Sequence, residues 1–510
     1  MKKYFFYFIV FLICIQGISL FFDGPAKKEG IASPLLTPYS GHSEPGIDGA
    51  VQPAGQPGSN VDARVAYGLY NNIFSSISLA QNFDYFTYQL NSDFRRTDDY
   101  GFENSSFYAG SLAFTGFYEI DELWKISPHL NVENESHGMY ANPSYSREEK
   151  DKFKFRLQTN YDIDPTAWSF SLSGANYVHR LISVQEDKEG EVESRSFYKL
   201  SEDITWENIH SASNKFKITH SYTRYYYSSP GGDEVSDNHY SQNRAVADIK
   251  IMEYVKLYAA LICDWHSDTD LFLSGRGGLS STGLPNSVYE ITYGYMLRPF
   301  APEEFYFDQK FTLPQYNLPP QKVHELDISY SYDRRFPHSN ESRFESFGFK
   351  AAFSFEGYDN YYNFQEDEDK LISGYTVKAG VYGLNLETVF EWEFFRGSLS
   401  LGLNYGFNYF YSDDRITYRP GHSAVTTMRY RDETYEATWK NNFSSSVYRD
   451  HEDSKELDGF VLGSLTIQKK IYDTFFLYLK IDNLYDVNYS YRLNYPEPGM
   501  TISAGLRIKY

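Results

Sequence analysis

The chain has 510 residues with 47 Lys plus Arg against 68 Asp plus Glu, and its formal charge of −21 lacks the basic footprint of a nucleic-acid binder. Two cysteines, one of them (Cys14) in the N-terminal apolar run, exclude a disulfide framework and a cysteine-based zinc site. Aromatic residues reach 18%, a usage that favours strands, while after residue 22 no apolar stretch approaches the roughly 18–20 residues of a spanning helix, which excludes a polytopic helical membrane protein and leaves a β-barrel open.

In chain order, Lys2 and Lys3 precede the apolar run Tyr4 to Ile15, and Gly17 and Ser19 supply small residues for cleavage after Ser19. Residues 1–19 therefore read as a signal peptide, with an uncleaved anchor helix as the alternative. Residues 20–60 read as a flexible arm: between 24 and 60 there are seven Gly and six Pro and no period of 2 or 3.6.

From Val61 to Tyr510 apolar and polar residues alternate, as on a strand whose successive side chains point to opposite faces. In 397–411 the series Leu399, Leu401, Leu403, Tyr405, Phe407 alternates with Ser398, Ser400, Gly402, Asn404, Gly406. In 152–161 Phe153, Phe155, Leu157 and Tyr161 alternate with Lys152, Lys154, Arg156, Gln158 and Asn160. Strands are predicted at 61–70, 73–82, 85–95, 106–119, 123–134, 152–162, 166–178, 196–209, 214–227, 241–253, 255–265, 270–280, 287–298, 322–333, 344–356, 374–392, 397–411, 423–431, 434–448, 459–469, 474–484 and 500–510, twenty-two in all. Many run to ten residues or more, against about 5–6 in soluble sheets. Charge sits mid-strand on the polar face and is nearly absent from the apolar one, where Lys or Arg costs roughly 2–4 kcal/mol at the bilayer midplane. In lipid such a sheet has to close, because open edges cannot satisfy their backbone groups.

The expected fold is thus all-β, a transmembrane antiparallel β-barrel. Long connections after odd strands and short turns after even ones place the long loops outside and both barrel termini at the periplasmic rim. Leu401, Leu403, Tyr405, Leu479, Ile481, Leu506 and Ile508 are expected to face lipid, and Asn404, Lys480, Asp482, Arg507 and Lys509 the lumen.

The C-terminal block Leu477-Tyr478-Leu479-Lys480-Ile481-Asp482-Asn483-Leu484-Tyr485-Asp486, then Tyr489, Tyr495-Pro496-Glu497-Pro498-Gly499 and the terminal Tyr510, resembles the end of the barrel in TonB-dependent outer-membrane receptors, with Met500 where that family usually has Arg. The stretches Tyr293-Gly294-Tyr295-Met296-Leu297-Arg298-Pro299 with Glu303-Glu304-Phe305-Tyr306, and Pro319-Pro320-Gln321-Lys322-Val323-His324-Glu325-Leu326, are similar to two further segments of the family. The resemblance covers about 61–510. It implies a 22-stranded barrel, an outer-membrane location, a small-molecule ligand of the siderophore, vitamin or oligomer class, and a terminal aromatic read by the barrel-assembly machinery. Family members carry a plug domain before the barrel. Residues 20–60 hold none of its Val/Ile-rich strands, so the expectation is a barrel lacking its own plug. Because diameter grows with strand number, its wide lumen needs an occupant: the arm, inward-folded loops, or a plug protein in trans.

Chemical constellations are sparse. Asp264, His266, Asp268 and Asp270 share one face of an extended strand and form a candidate hard-cation cluster, against the bland reading of a solvated loop. Tyr225, Tyr226, Tyr227, Tyr361 and Tyr362, with Arg298, are candidate ligand contacts at the outer rim, against the reading of an aromatic girdle. Acidic loops such as 186–193 and 366–369 read as solvated surface or as an attractor for cations. No phosphate-binding glycine motif and no nucleophile–base order stands out, so no enzyme and no cofactor is expected. Partners are expected to be outer-membrane lipid, the assembly machinery, a small-molecule ligand and a plug in trans, with no nucleic acid. Nutrient uptake competes with a surface barrel that binds or displays without transport, and with a degenerate receptor.

Overall fold

The computed structural model describes residues 58–98, 106–138, 145–183, 192–211, 214–228, 235–267, 269–298, 318–336, 343–366, 372–412, 414–448, 456–492 and 495–509. The signal-peptide reading and all but the last three residues of the expected arm lie outside them, as does Tyr510. The strands are β1 (Gly58–Gly68), β2 (Ile73–Asn82), β3 (Phe86–Thr97), β4 (Phe107–Glu119), β5 (Trp124–Gly138), β6 (Tyr145–Ile163), β7 (Thr166–Ser183), β8 (Val192–Ser211), β9 (Asn214–Ser228), β10 (Val235–Met252), β11 (Val255–His266), β12 (Thr269–Ser281) and β13 (Ser287–Arg298). They continue as β14 (Gln321–Arg335), β15 (Phe344–Glu366), β16 (Ile372–Phe394), β17 (Gly397–Ser412), β18 (His422–Arg431), β19 (Tyr435–Ser444), β20 (Val447–Tyr448), β21 (Glu456–Leu457), β22 (Phe460–Tyr472), β23 (Phe475–Asp482), β24 (Ser490–Arg492), β25 (Tyr495–Pro496) and β26 (Thr501–Lys509).

Twenty-two of them form one antiparallel sheet, and β20–β21 and β24–β25 are small ladders in the loops. Each barrel strand pairs with the next, and β1 pairs with both β2 and β26, which closes the ring. Closure is what lipid demands, since no unpaired edge remains. Among the described residues no helix is long and apolar enough to cross a membrane. The Lys509 amide donates to Thr474 O in the short turn between β22 and β23, so the end of the barrel lies on the short-turn rim, as expected.

The predicted register holds at the seam. Arg507 lies opposite Arg64 and beside Asp62, to which it donates at 3.0 and 2.5 Å, and it also donates to Gln468 at 2.8 Å. Leu506 and Ile508, one residue either side, lie beside Val65 and Ala63 on the other face, where Leu506 is 51% exposed. Leu403 and Leu479 are likewise exposed outward. Polar side chains that pair with one another line the lumen, and large apolar ones cover the outside. An outer belt of aromatics follows the short-turn rim, where the Trp124 and Tyr161 rings lie tilted at 4.5 Å and those of Trp168 and Trp206 at 6.4 Å. The turns below are set by Asp side chains: Asp121 accepts from the Leu123 and Trp124 amides, and Asp432 from those of Thr434 and Tyr435.

The strands differ from expectation mainly at the long-loop side. β6 begins at Tyr145 rather than 152, β10 at Val235 rather than 241, and β15 continues to Glu366 rather than 356. Above the hydrocarbon no apolar face is required, so the added part of β6 is charged on both faces. The neighbouring β7 holds it instead through Arg180, which pairs with Asp151 at 2.7 Å, and His179, which bonds Glu148 at 2.9 Å, while Lys150 of β6 itself meets Glu148 at 3.3 Å. In β15 a register break between Tyr358 and Tyr361 interrupts the alternation. β19 is shorter than 434–448, because Val447 and Tyr448 pair with Glu456 and Leu457 instead of continuing the wall.

The C-terminal block owes its residue types to one turn. Asn483 (φ 49°) and Asp486 (φ 51°) take left-handed backbone, where Asn and Asp are tolerated best. The Asn483 side chain donates to Val487 O and Pro498 O and accepts from the Val487 amide, and Asp486 accepts from the Met500 amide. Gly463 leaves room for the Tyr485 ring, which would lie 2.8 Å from a Cβ there, and the Tyr485 hydroxyl donates to Asn441. Tyr489 packs on Phe460 at 5.1 Å. Asn483→Ala is expected to cost about 1–3 kcal/mol by orphaning these buried groups, measurable as a lower urea midpoint in lipid vesicles; an unchanged midpoint would show the turn to be solvated.

Candidate functional site

The inner wall carries a cationic cavity where β5–β8 meet. On β6 the lumen-facing series is Lys152, Lys154, Arg156, and the antiparallel register sets Tyr177, Ala175 and Ser173 of β7 beside it. Lys199 of β8 lies opposite Ala175, and His129 of β5 opposite Arg156. Together they line a cavity of about 390 Å³. Lys152 and Lys154 place their ammonium groups 6.0 and 5.8 Å from the Tyr177 ring, and Lys199 lies 5.5 Å from that of Tyr225. Glu133 meets Lys152 at 3.3 Å, and Arg156 donates to Ser171 at 3.0 Å. In a chain of net charge −21 this concentrates positive charge in a concave wall, where low-dielectric surroundings focus the field. Such a wall can hold a multiply charged anion, with aromatic faces beside the cations. The sequence reading saw Lys152, Lys154 and Arg156 as the polar face of a strand and did not single them out. The available signal was three cations at i, i+2 and i+4 on the lumen side of an acidic chain.

A second ionic group lies on β12–β15. Arg276 meets Glu325 at 3.2 Å and Asp327 at 3.1 Å, while Arg298 donates to Glu325 at 3.1 Å and to the Tyr358 hydroxyl at 3.0 Å. Arg298 is therefore tied across three strands into the wall.

The residues singled out as rim contacts separate. Tyr225 faces inward and is buried in a cluster with Ala175, Tyr177, Phe197 and Tyr240. Tyr226 faces outward beside Tyr198, ring to ring at 6.1 Å, as a girdle residue does. Tyr227 pairs through its backbone with Phe197 and Ser236, and its side chain lies outside the described residues. Tyr361 packs with Val323, Tyr358, Ala379 and Ile416 on the inner wall, and Tyr362 reaches the Tyr225 cluster while donating to Pro319 O. Tyr225 and Tyr362 thus meet in one cluster, and Tyr361 belongs to a second.

Asp264 and His266 share the inner face of β11 as expected, but the buried Asp264 carboxylate accepts from Tyr240 (2.7 Å), Gln242 (2.8 Å) and Ser274 (3.3 Å). Asp268 and the Asp270 side chain lie outside the described residues, and among the described ones no group of three or more His, Cys, Asp or Glu is arranged to hold a metal ion.

No protein-family model matches the chain, and no curated protein does. Among solved structures it is similar to the copper transporter OprC, with a TM-score of 0.68 at 14% identity, covering 90% of this chain and 81% of that one. It is similar to the ferric-catecholate import receptor Fiu of E. coli K12 (TM-score 0.67, 11% identity, 90% and 82% covered) and to the siderophore receptor PiuA of Acinetobacter baumannii (0.67, 11%, 90% and 82%). At such identities the likeness establishes the fold: this chain forms a 22-stranded barrel of the kind found in TonB-dependent receptors.

Proposed function

We propose that the chain is an outer-membrane barrel for uptake of a small anionic nutrient, of the siderophore class, bound at the cationic cavity on β5–β8. The observation that carries this reading is the cluster Lys152, Lys154, Arg156 and Lys199 beside Tyr177 on the lumen wall of a chain with net charge −21. Two of the similar structures are named as receptors for ferric catecholates or siderophores, which are chelates with aromatic or acidic donors; the copper transporter would instead favour a cation, which this cavity repels. Residues 20–60 are proposed to supply no plug, because their Pro and Gly content leaves too little apolar surface to offset the entropy of ordering. Narrowing of the lumen then falls to inward-folded loops or to a plug in trans.

The test is binding of an iron–catecholate complex to the purified barrel in detergent, read by quenching of tryptophan fluorescence. Reversing two charges with Lys152→Glu and Lys154→Glu is expected to weaken binding by about a hundredfold or more, since each lost charged hydrogen bond is worth about 1.5–3 kcal/mol. Asn404→Glu, on the opposite part of the inner wall, should leave it unchanged. Equal binding by parent and double variant would sink the site. Failure of any anionic chelate to bind would favour a display barrel without transport.

A further inference from the structure

The connection between β17 and β18 does not arch over the surface, as loops ordinarily do; residues 414–421 run into the barrel mouth. Ile416 is buried against Val323, Tyr358, Tyr361 and Ala379 on the β14–β16 side. Two residues on, Tyr418 turns with φ 54° and packs against the Ala175, Tyr177, Phe197, Tyr225 and Tyr240 cluster on the β7–β10 side. The segment therefore bridges two stretches of wall that are separated by several strands around the ring. Its base is tied to the wall by the Asn408 amide donating to Gly421 O and by Ser412 donating to Lys378 O, each at 2.7 Å.

We propose that segment 414–421 is a strap that shuts the outer mouth of the lumen, with Asn363 as its latch, so that solutes cross only when the strap lifts. Asn363 and Thr417 are both fully buried. The Asn363 amide nitrogen donates to Tyr375 Oη (2.7 Å) and Arg415 O (2.8 Å), and its oxygen accepts from the Thr417 amide (2.9 Å) and Thr417 Oγ1 (3.0 Å). Two donors and two lone pairs are the whole capacity of an asparagine side chain, and three of the four bonds go to the strap. On its other side the strap is bridged to β20, where the Tyr418 amide donates to Tyr448 O at 2.8 Å and the Arg415 guanidinium lies 5.0 Å from the Tyr448 ring. Apart from the packing of Ile416 and Tyr418, the ties are hydrogen bonds from Asn363 and the β20 backbone, which suits a contact that opens without unfolding the wall. Ala175 and Tyr177 belong both to the cluster that Tyr418 packs against and to the lining of the cationic cavity, so the strap ends beside that cavity.

The test needs no ligand. The full chain is inserted into planar bilayers in potassium chloride, and single-channel conductance is compared with that of Asn363→Ala and of a variant in which residues 414–419 are replaced by a short Gly-Ser linker. Each protein is first checked for the heat-resistant folded band on gels. The parent should conduct weakly or in brief openings. The replacement variant should conduct several-fold more and stay open, and Asn363→Ala should show more frequent openings of the same size. A folded replacement variant that conducts like the parent would overturn the strap, as would a parent that is already widely open. An Asn363→Ala protein that gates like the parent would overturn the latch.

Discussion

Leu403→Arg is expected to lower the folding stability of the barrel by about 2–4 kcal/mol, the cost of placing a cation at the bilayer midplane on the lipid face. Leu403 lies in the middle of β17, is 42% exposed, and has Thr388 and Thr426 as outward neighbours across the sheet. Neither carries a counter-charge for a guanidinium, and water is remote. Asn404, one residue on, points into the lumen beside Glu387 and Val425. Asn404→Arg should therefore change stability by no more than about 0.5 kcal/mol, as for an exposed polar site. Urea titrations of folding into lipid vesicles measure both. The reverse order would mean that the register of β17 is displaced by one residue, because such a slip exchanges the two faces.

Gly505→Ala is expected to prevent closure of the ring. Gly505 of β26 pairs with Ala66 of β1 at the seam, and a Cβ there would lie 1.9 Å from Val65 O and 2.6 Å from Ala66 Cα. Both are backbone atoms, so no rotamer change relieves the contact. The strands would have to part, and each backbone group orphaned in lipid costs several kcal/mol. The loss should reach or exceed the roughly 1–3 kcal/mol of ordinary overpacking, seen as disappearance of the heat-resistant band. Gly402→Ala is the control. Its nearest atoms, Thr388 O and Thr427 O, stand 3.9 Å from the added carbon, so it should fold like the parent. Equal folding of the two variants would show the seam to be looser than its hydrogen-bonded register.

The period of two along the chain determined the barrel. Where both faces meet fixed and different surroundings, lipid outside and water inside, one residue of register inverts every side chain, so segments such as 397–411 and 500–510 could be placed nearly to the residue. The strand number and the short-turn rim followed from the same pattern. Above the hydrocarbon that constraint ends, so the charged start of β6 and the broken register in β15 had no legible period. The candidate site was legible only in part. Lys152, Lys154 and Arg156 were assigned to one face, but their concentration beside Lys199 and Tyr177 depends on which strands become neighbours and in what register. Tyr225, Tyr361 and Tyr362 were singled out as rim aromatics, and only the tertiary structure joins Tyr362 to the Tyr225 cluster and packs Tyr361 in another. The strap was legible to no pattern: Ile416, Thr417 and Tyr418 sit in a connection that reads as surface loop. What holds it inside the mouth is Asn363, more than fifty residues away along the chain. Local sequence carries the alternation because each residue meets its solvent directly. It carries no record of partners that long-range pairing alone supplies.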